Sequence, residues 1–320
     1  MNKNKILMII NEFPPTGQSG VQRPLKFVKY AVKAGWEVHI IAPKKPVRKV
    51  VDYSLLQEIP KEAHIYRVAG LGIKTPDESK MVNAHFAETA PPSKIERAFW
   101  RLAKLVNDFL FPYDKQIGGM PFAYYTACKI IKKQQIRNIY ITAFPYSAFL
   151  VGLALKKKYK DKIFWVADYR DSWQFGIMIE KLVFPFRLKT IRKTDDKVLA
   201  TCDAAVFVTP ETQLEYINKH SWLKEKSYYI PNGYDEDDFT GITPKKFDKL
   251  TLVLMGKLTK VYGSPVNLLK ALEDCFPNNY QVIHIGNIDK AILHNIKTSG
   301  YTSYNYLGYQ KHSDAIAYSL

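Results

Sequence analysis

Cysteine is scarce in these 320 residues: Cys128, Cys202 and Cys275 lie far apart, with no CxxC spacing. That excludes a disulfide framework and a thiolate metal cluster, and it fits a reducing compartment. No apolar run approaches the ~20 residues of a spanning helix. The first apolar stretch, KILMII, is short and has no cleavage site, so no secretory signal is expected. No GxGxxG or Walker loop occurs, which leaves a dinucleotide or ATPase site without support. The seven histidines form no HExxH or comparable cluster, so no metal site is expected. Acidic residues are also few, 30 against 47 Lys and Arg, for a formal net charge of +17. An excess of that size attracts anions: nucleic acid, an acidic lipid face or phosphorylated small molecules. It is equally compatible with solubility alone. No helix-turn-helix, zinc-finger or RNA-binding pattern accompanies it, so no specific nucleic-acid partner is expected.

What is present is α/β alternation. Apolar runs KILMII, EVHIIAP, AHIYRV, IRNIYITA, KIFWVAD, AAVFVT and KSYYIP read as strands of a parallel sheet, most separated by helical stretches. Val21, Leu25, Val28 and Val32 share one stripe of the first helix. Residues 70–93 carry no clear period and read as a long irregular insertion, followed by helices at 94–109 and 119–134. The basic stretch 173–200 reads as largely helical. After an acidic, Gly- and Pro-containing stretch the grammar resumes with LTLVLMG, YQVIHIG and YNYLG. The organisation expected is therefore residues 1–231 as one Rossmann-like unit, 232–249 as hinge and 250–320 as part of a second. The chain stops within an apparent helix, AIAYSL, so the second unit is expected to be incomplete.

Ligands of open parallel sheets bind beyond the carboxyl ends of the strands. Three segments occupy such positions. The first is NEFPPTGQSGVQRP, where Gly17 and Gly20 permit close backbone approach and Arg23 stands in the first helical turn. Unpaired N–H groups and a fork of donors there suit a phosphate. A salt bridge from Arg23 to a neighbouring helix is the competing reading. The second is FPYSA, which puts Tyr146 and Ser147 at a strand exit. The third is DYRDSW, where Asp168 and Asp171 can orient a hydroxyl or hold Arg170, and Trp173 either stacks on a sugar or plugs the loop. Asp171 is the better candidate for substrate, and Asp168 for bracing loops. Asn232 and Gly233 read as a turn, with Asp235 as its side-chain cap.

The separated motifs carry a resemblance. FPPTGQSGVQRPLKFVKYAVKAGWEVHIIAP, FPYSAFLVGLALKKKY, WVADYRDSW, CDAAVFVTPETQLEYI, YYIPNGYDEDDF and LGYQKHSDAIAY follow one another in the order found in the retaining glycosyltransferases of family four. The resemblance implies a GT-B-like α/β fold, two Rossmann-like doubly wound domains facing a cleft. It implies transfer of a sugar from a nucleotide-sugar donor with retention of configuration, and no cofactor or bound metal. Donor contacts would fall on Gly17, Gly20, Arg23, Lys257, Lys260, Gly286 and His312. The catalytic carboxylates would be Asp171 and Asp168. The acceptor would meet Tyr146, Ser147 and Trp173. It would be a glycan or a lipid-linked glycan of cell-surface polysaccharide synthesis, placing the protein in the cytoplasm.

The basic and apolar segment 173–193 would suit an anionic inner membrane face, or equally a core helix pair with a solvated basic side. The family's paired glutamates would lie beyond residue 320, so a non-catalytic scaffold of the same fold is the main rival, ahead of a basic nucleic-acid-binding protein.

Overall fold

The computed structural model describes residues 4–17, 19–46, 51–69, 109, 113–114, 116–175, 185–259 and 264–320. The expected insertion at 70–93, nearly all of the helix at 94–109, part of the 173–193 segment, and Lys260 lie outside them. The chain divides into two compact units, residues 1–233 and 234–320.

In the first unit seven parallel strands are ordered β3-β2-β1-β4-β5-β6-β7. They are β1 Lys5–Ile9, β2 Glu37–Pro43, β3 His64–Val68, β4 Asn138–Ala143, β5 Phe164–Tyr169, β6 Ala204–Phe207 and β7 Ser227–Tyr229. Helices α1 Gln22–Lys33, α2 Met120–Gln134, α3 Ala148–Tyr159, α4 Pro185–Thr201 and α5 Pro210–Lys219 cover the sheet. Strand alternation sorts the core into two layers. Leu7 and Ile9 pack with Ile139, Ile141, Trp165 and helix α3 on one face. Met8 and Ile10 pack with Val38, Ile40, Val21 just before α1 and the Leu25, Val28 stripe of α1 on the other. Register is tight: Ile9 pairs Ile41 on one side and Ile141 on the other. The expected 173–200 helix is in part a loop, since Trp173–Phe175 is not helical and α4 is described from Pro185.

In the second unit three parallel strands, β8 Leu250–Met255, β9 Tyr280–Ile285 and β10 Tyr304–Gly308, are ordered β10-β9-β8. Helices α6 Val266–Cys275, α7 Lys290–Thr298 and α8 His312–Ser319 accompany them. Leu269, Leu272, Tyr280, Val282, Ile292 and Ile296 form one core layer. Among the described residues no helix is long and apolar enough to cross a membrane.

Candidate functional site

In the first unit the strand order reverses between β1 and β4. The helices that follow these strands cover opposite faces, α1 in one core layer and α3 in the other. The loops after β1 and β4 therefore diverge and open a crevice at the carboxyl edge, the usual ligand position in such sheets. The β5 exit, Arg170–Phe175, borders it.

Arg23 projects from the first turn of α1 into the interior, with only 5% of its side chain exposed and none of that of Asp168. Its Nε and Nη2 donate to Asp168 Oδ2 at 3.3 Å and Oδ1 at 2.9 Å. Nη1 donates to Pro231 O at 2.9 Å and Asn232 Oδ1 at 3.4 Å. The guanidinium also lies 4.6 Å from the centre of the Phe27 ring. Asp168 Oδ2 accepts further from Tyr140 Oη at 2.6 Å and Thr142 Oγ1 at 2.8 Å. Burial beside Asp168 raises the Tyr140 pKa well above its ordinary value, so this hydroxyl stays a donor. Asp168 thus accepts from groups on α1 and β4, and Arg23 ties the opening loop to the IPNG segment. The arrangement describes a brace and leaves neither charge facing solvent. The partner of Arg23 is a strand end and not a helix.

A second arginine, Arg170, makes the matching brace above the first. Its Nη2 pairs with Glu12 Oε2 at 2.9 Å, and its Nε donates to Ala143 O at 2.9 Å. Nη1 donates to Gly20 O, and Nη2 also reaches Phe144 O at 3.3 Å. One side chain at the β5 exit therefore fixes the segments after β1 and β4 together. A Cβ on Gly20 would fall on the Glu12 carboxylate and the Arg170 guanidinium. The absent side chain of Gly20 thus makes room for this ion pair. Gly17 is buried.

The three residues expected at the acceptor are buried. Tyr146 Oη donates between Asp171 O at 3.0 Å and Ser172 O at 2.9 Å, while its ring stacks on Trp173 with centres 5.0 Å apart. Ser147, fully buried, gives its N–H and hydroxyl to Asp114 at 2.7 and 2.6 Å. Asp114 therefore occupies the N-terminal end of α3 with the chain's own carboxylate. Trp173 is 1% exposed and plugs the loop from within. These groups shape the β5 exit from below, and direct acceptor contact is not what their burial offers. Behind them Asp195 accepts from Tyr169 and Tyr216, each at 2.7 Å, and burial pushes its pKa up to about 7. The Tyr216 hydroxyl also accepts from the Trp173 N–H at 3.1 Å. Asp171 alone of the DYRDSW charges is exposed, and its carboxylate has no hydrogen bond or ion pair among the described residues.

In the second unit, Gly256 and Gly286 adopt φ of +130° and +134°, and a Cβ on Gly286 would strike the Gly256 carbonyl. The same carbonyl meets His284 Nε2 at 3.0 Å, and His284 Nδ1 meets Tyr304 Oη at 2.7 Å. His284 is fully buried, and burial lowers its pKa. Lys257 follows Gly256 and is exposed, with no partner among the described residues. His312 Nε2 lies 3.2 Å from Asp238 Oδ2. Asp235 caps the turn after the IPNG segment, accepting from the Asp237 N–H at 3.2 Å.

No protein-family profile and no curated sequence matches this chain. Solved structures do. One is HepE from Anabaena in complex with UDP and glucose, with a TM-score of 0.55 and 13% identity over 98% of this chain and 71% of that one. Another is S. aureus TarM in complex with fondaparinux, α-GlcNAc-glycerol and UDP, with a TM-score of 0.58 and 10% identity over 96% and 78%. The fold is of the GT-B type. The same fold extends to a Listeria monocytogenes chain named, provisionally, as a UDP-N-acetylglucosamine 2-epimerase, with a TM-score of 0.51 and 9% identity over 98% and 70%. At these identities the likeness speaks for architecture.

Sequence reasoning passed over Glu12, Asn11 and Tyr140. Glu12 and Arg170 pair across 158 positions, which no local pattern announces. Asn11, 8% exposed at the β1 exit, has its Nδ2 buried without a partner among the described residues. A buried orphan donor costs about 1–3 kcal/mol, which makes Asn11 a candidate contact for something that enters the crevice.

Proposed function

We propose that the protein transfers a sugar from a nucleotide-sugar donor to a glycan or lipid-linked acceptor, with retention at the anomeric carbon, in cell-surface polysaccharide synthesis. The observation that carries the reading is the doubly braced crevice at the β1/β4 reversal, on a fold shared with structures that hold UDP. The leaving diphosphate gains charge in the transition state, and fixed N–H groups and cations favour that change. In this reading the opening loop offers backbone N–H groups, held by Arg23 and Arg170. Lys257, Lys260 and His312 are the basic groups assigned to the donor, and Asn11 the amide. Asp171 orients the acceptor hydroxyl, while Asp168 acts through Arg23 as a positioning residue. Attachment to an anionic membrane face through the basic 173–193 segment belongs to the same proposal.

The test is calorimetric titration of the protein with UDP-, GDP-, ADP- and TDP-sugars in the presence of chelator. Saturable binding of one donor, UDP-linked first, is expected. Absence of any saturable nucleotide-sugar binding overturns the reading. Donor turnover that needs no acceptor would move it to the epimerase side of this fold, and binding without turnover to a scaffold.

A further inference from the structure

At the opposite, amino edge of the first sheet three potential metal ligands converge. Side chains two apart on a strand share a face, which puts Glu37 and His39 together on β2. The parallel register then sets His64, the first residue of β3, beside His39. One ligand atom from each of Glu37, His39 and His64 lies within 4.8 Å of the other two. The two imidazoles stack with ring centres 4.7 Å apart and planes at 23°. His39 Nε2 is 2.9 Å from Glu37 Oε1, and the other carboxylate oxygen, Oε2, faces Lys5 Nζ at 3.4 Å. His39 is 1% exposed, whereas His64 is exposed.

We propose that Glu37, His39 and His64 form a site for a divalent d-block cation of the Zn²⁺ class, independent of the sugar-transfer reading. Two imidazoles and one carboxylate suit Zn²⁺, Co²⁺ or Ni²⁺ and disfavour Mg²⁺ and Ca²⁺. Tetrahedral Zn²⁺ with bonds of about 2.0–2.1 Å spaces its ligands about 3.4 Å apart. Rotation of the exposed His64 ring supplies most of the required closure, because His39 and Glu37 are already in contact. The outer partner is also in place, since His39 Nδ1 lies 3.2 Å from Tyr66 Oη. In the free site Tyr66 donates to Nδ1, and Nε2–H donates to Glu37. When the cation takes Nε2 and Oε1, the ring proton moves to Nδ1 and Tyr66 becomes the acceptor. A hydroxyl can serve in either direction, so no buried group is orphaned by the exchange. The cation would clip edge strand β3 to β2, with water in the remaining position.

The experiment is titration of the chelator-treated, dialysed full chain with Zn²⁺ alone by calorimetry, and with Co²⁺ by visible absorption. One equivalent of Zn²⁺ should bind, and Co²⁺ should give the absorption of a low-coordinate imidazole site. His64→Ala sits at an exposed position and leaves the core intact, and it should weaken Zn²⁺ binding by more than about tenfold. Tyr66→Phe should weaken it by about tenfold, the usual effect of removing an outer hydrogen bond. His220→Ala, at a separate Asp196-paired histidine, should leave it unchanged. Failure of Zn²⁺ to saturate, or equal affinity in the wild type and His64→Ala, overturns the assignment.

Discussion

Asp168, in β5, and Asp171, just past its end, stand three residues apart, and Asp→Asn at each should give opposite results. In Asp168→Asn the volume and one acceptor oxygen remain, and the negative charge is lost. Tyr140 and Thr142 hydroxyls can turn and accept from the new amide, so they are not orphaned. The Arg23 guanidinium cannot adapt, because it is always charged and 95% of its side chain is out of solvent. Removing one partner of such a buried pair costs about 3–5 kcal/mol. That is a large fraction of the roughly 5–15 kcal/mol that holds a domain folded.

Urea unfolding followed by tryptophan fluorescence measures this cleanly. All five tryptophans, at positions 36, 100, 165, 173 and 222, belong to the first unit, so the signal reports that unit alone. With a urea slope of about 3 kcal/mol/M, the midpoint should fall by about 1–1.7 M. Adding Arg23→Met should recover part of the loss, since the double variant buries no unpaired charge. Asp171→Asn removes an exposed carboxylate and should move the midpoint by less than about 0.2 M. It should instead lower kcat/KM for the acceptor about 10- to 100-fold, the range of a lost charge-assisted hydrogen bond. A midpoint shift below about 0.3 M in Asp168→Asn would refute the brace and return Asp168 to the list of substrate ligands.

Gly20→Ala should lower stability by about 1–3 kcal/mol, because its Cβ meets the Glu12–Arg170 pair; a wild-type urea midpoint would refute this crowding. Burial raises Asp195 from 3.8 to about 7 in the folded unit, so between about pH 4 and 7 the native state holds a proton that the unfolded chain releases. Stability from this group is therefore greatest at the acid end and falls as pH rises through that window, by up to about 4 kcal/mol. Asp195→Asn should flatten the fall in urea midpoint between pH 5 and 8, and parallel profiles for the two proteins would sink the assignment.

The strands were legible because a doubly covered parallel sheet demands apolar side chains on both faces, and runs such as EVHIIAP and AAVFVT supply them. Helix α1 was legible from Leu25 and Val28, with Val21 at its N-cap, all fully buried. The site was less so. Arg23 reads as a phosphate ligand from its place at a helix start, and only the partner across 145 positions shows that it faces inward. One signal was available: Asp168 belongs to the strand KIFWVAD, two residues after Val166, so alternation points it toward the face that α1 covers. Asp171 lies past the strand end, where alternation no longer holds, and it is exposed. Tyr146 and Trp173 were ambiguous because an aromatic at a loop base stacks on a sugar or on its neighbour by the same chemistry. The Glu37, His39, His64 cluster follows no linear spacing rule, since strand register assembles it.

The two arginine braces meet the same physical need, unpaired carbonyls beyond the strand ends. Where neighbouring strands send their helices to opposite faces, their exits lose each other's backbone partners and leave carbonyls pointing into the crevice. Ala143 and Phe144 present such carbonyls at the β4 exit, and Arg170 takes both together with that of Gly20 just before α1, while Arg23 takes that of Pro231 past β7. A guanidinium satisfies several carbonyls at once but brings a charge that cannot be released, so each needs a buried carboxylate, Asp168 for Arg23 and Glu12 for Arg170. The +17 excess therefore says little about this crevice, whose two buried cations are neutralised where they stand. What remains for a ligand is the described part of the opening loop, the Asn11 amide and the uncommitted carboxylate of Asp171. A crevice whose walls are fixed by buried pairs holds such groups in position without help from the ligand, and that preorganisation is what the proposed sugar transfer would require.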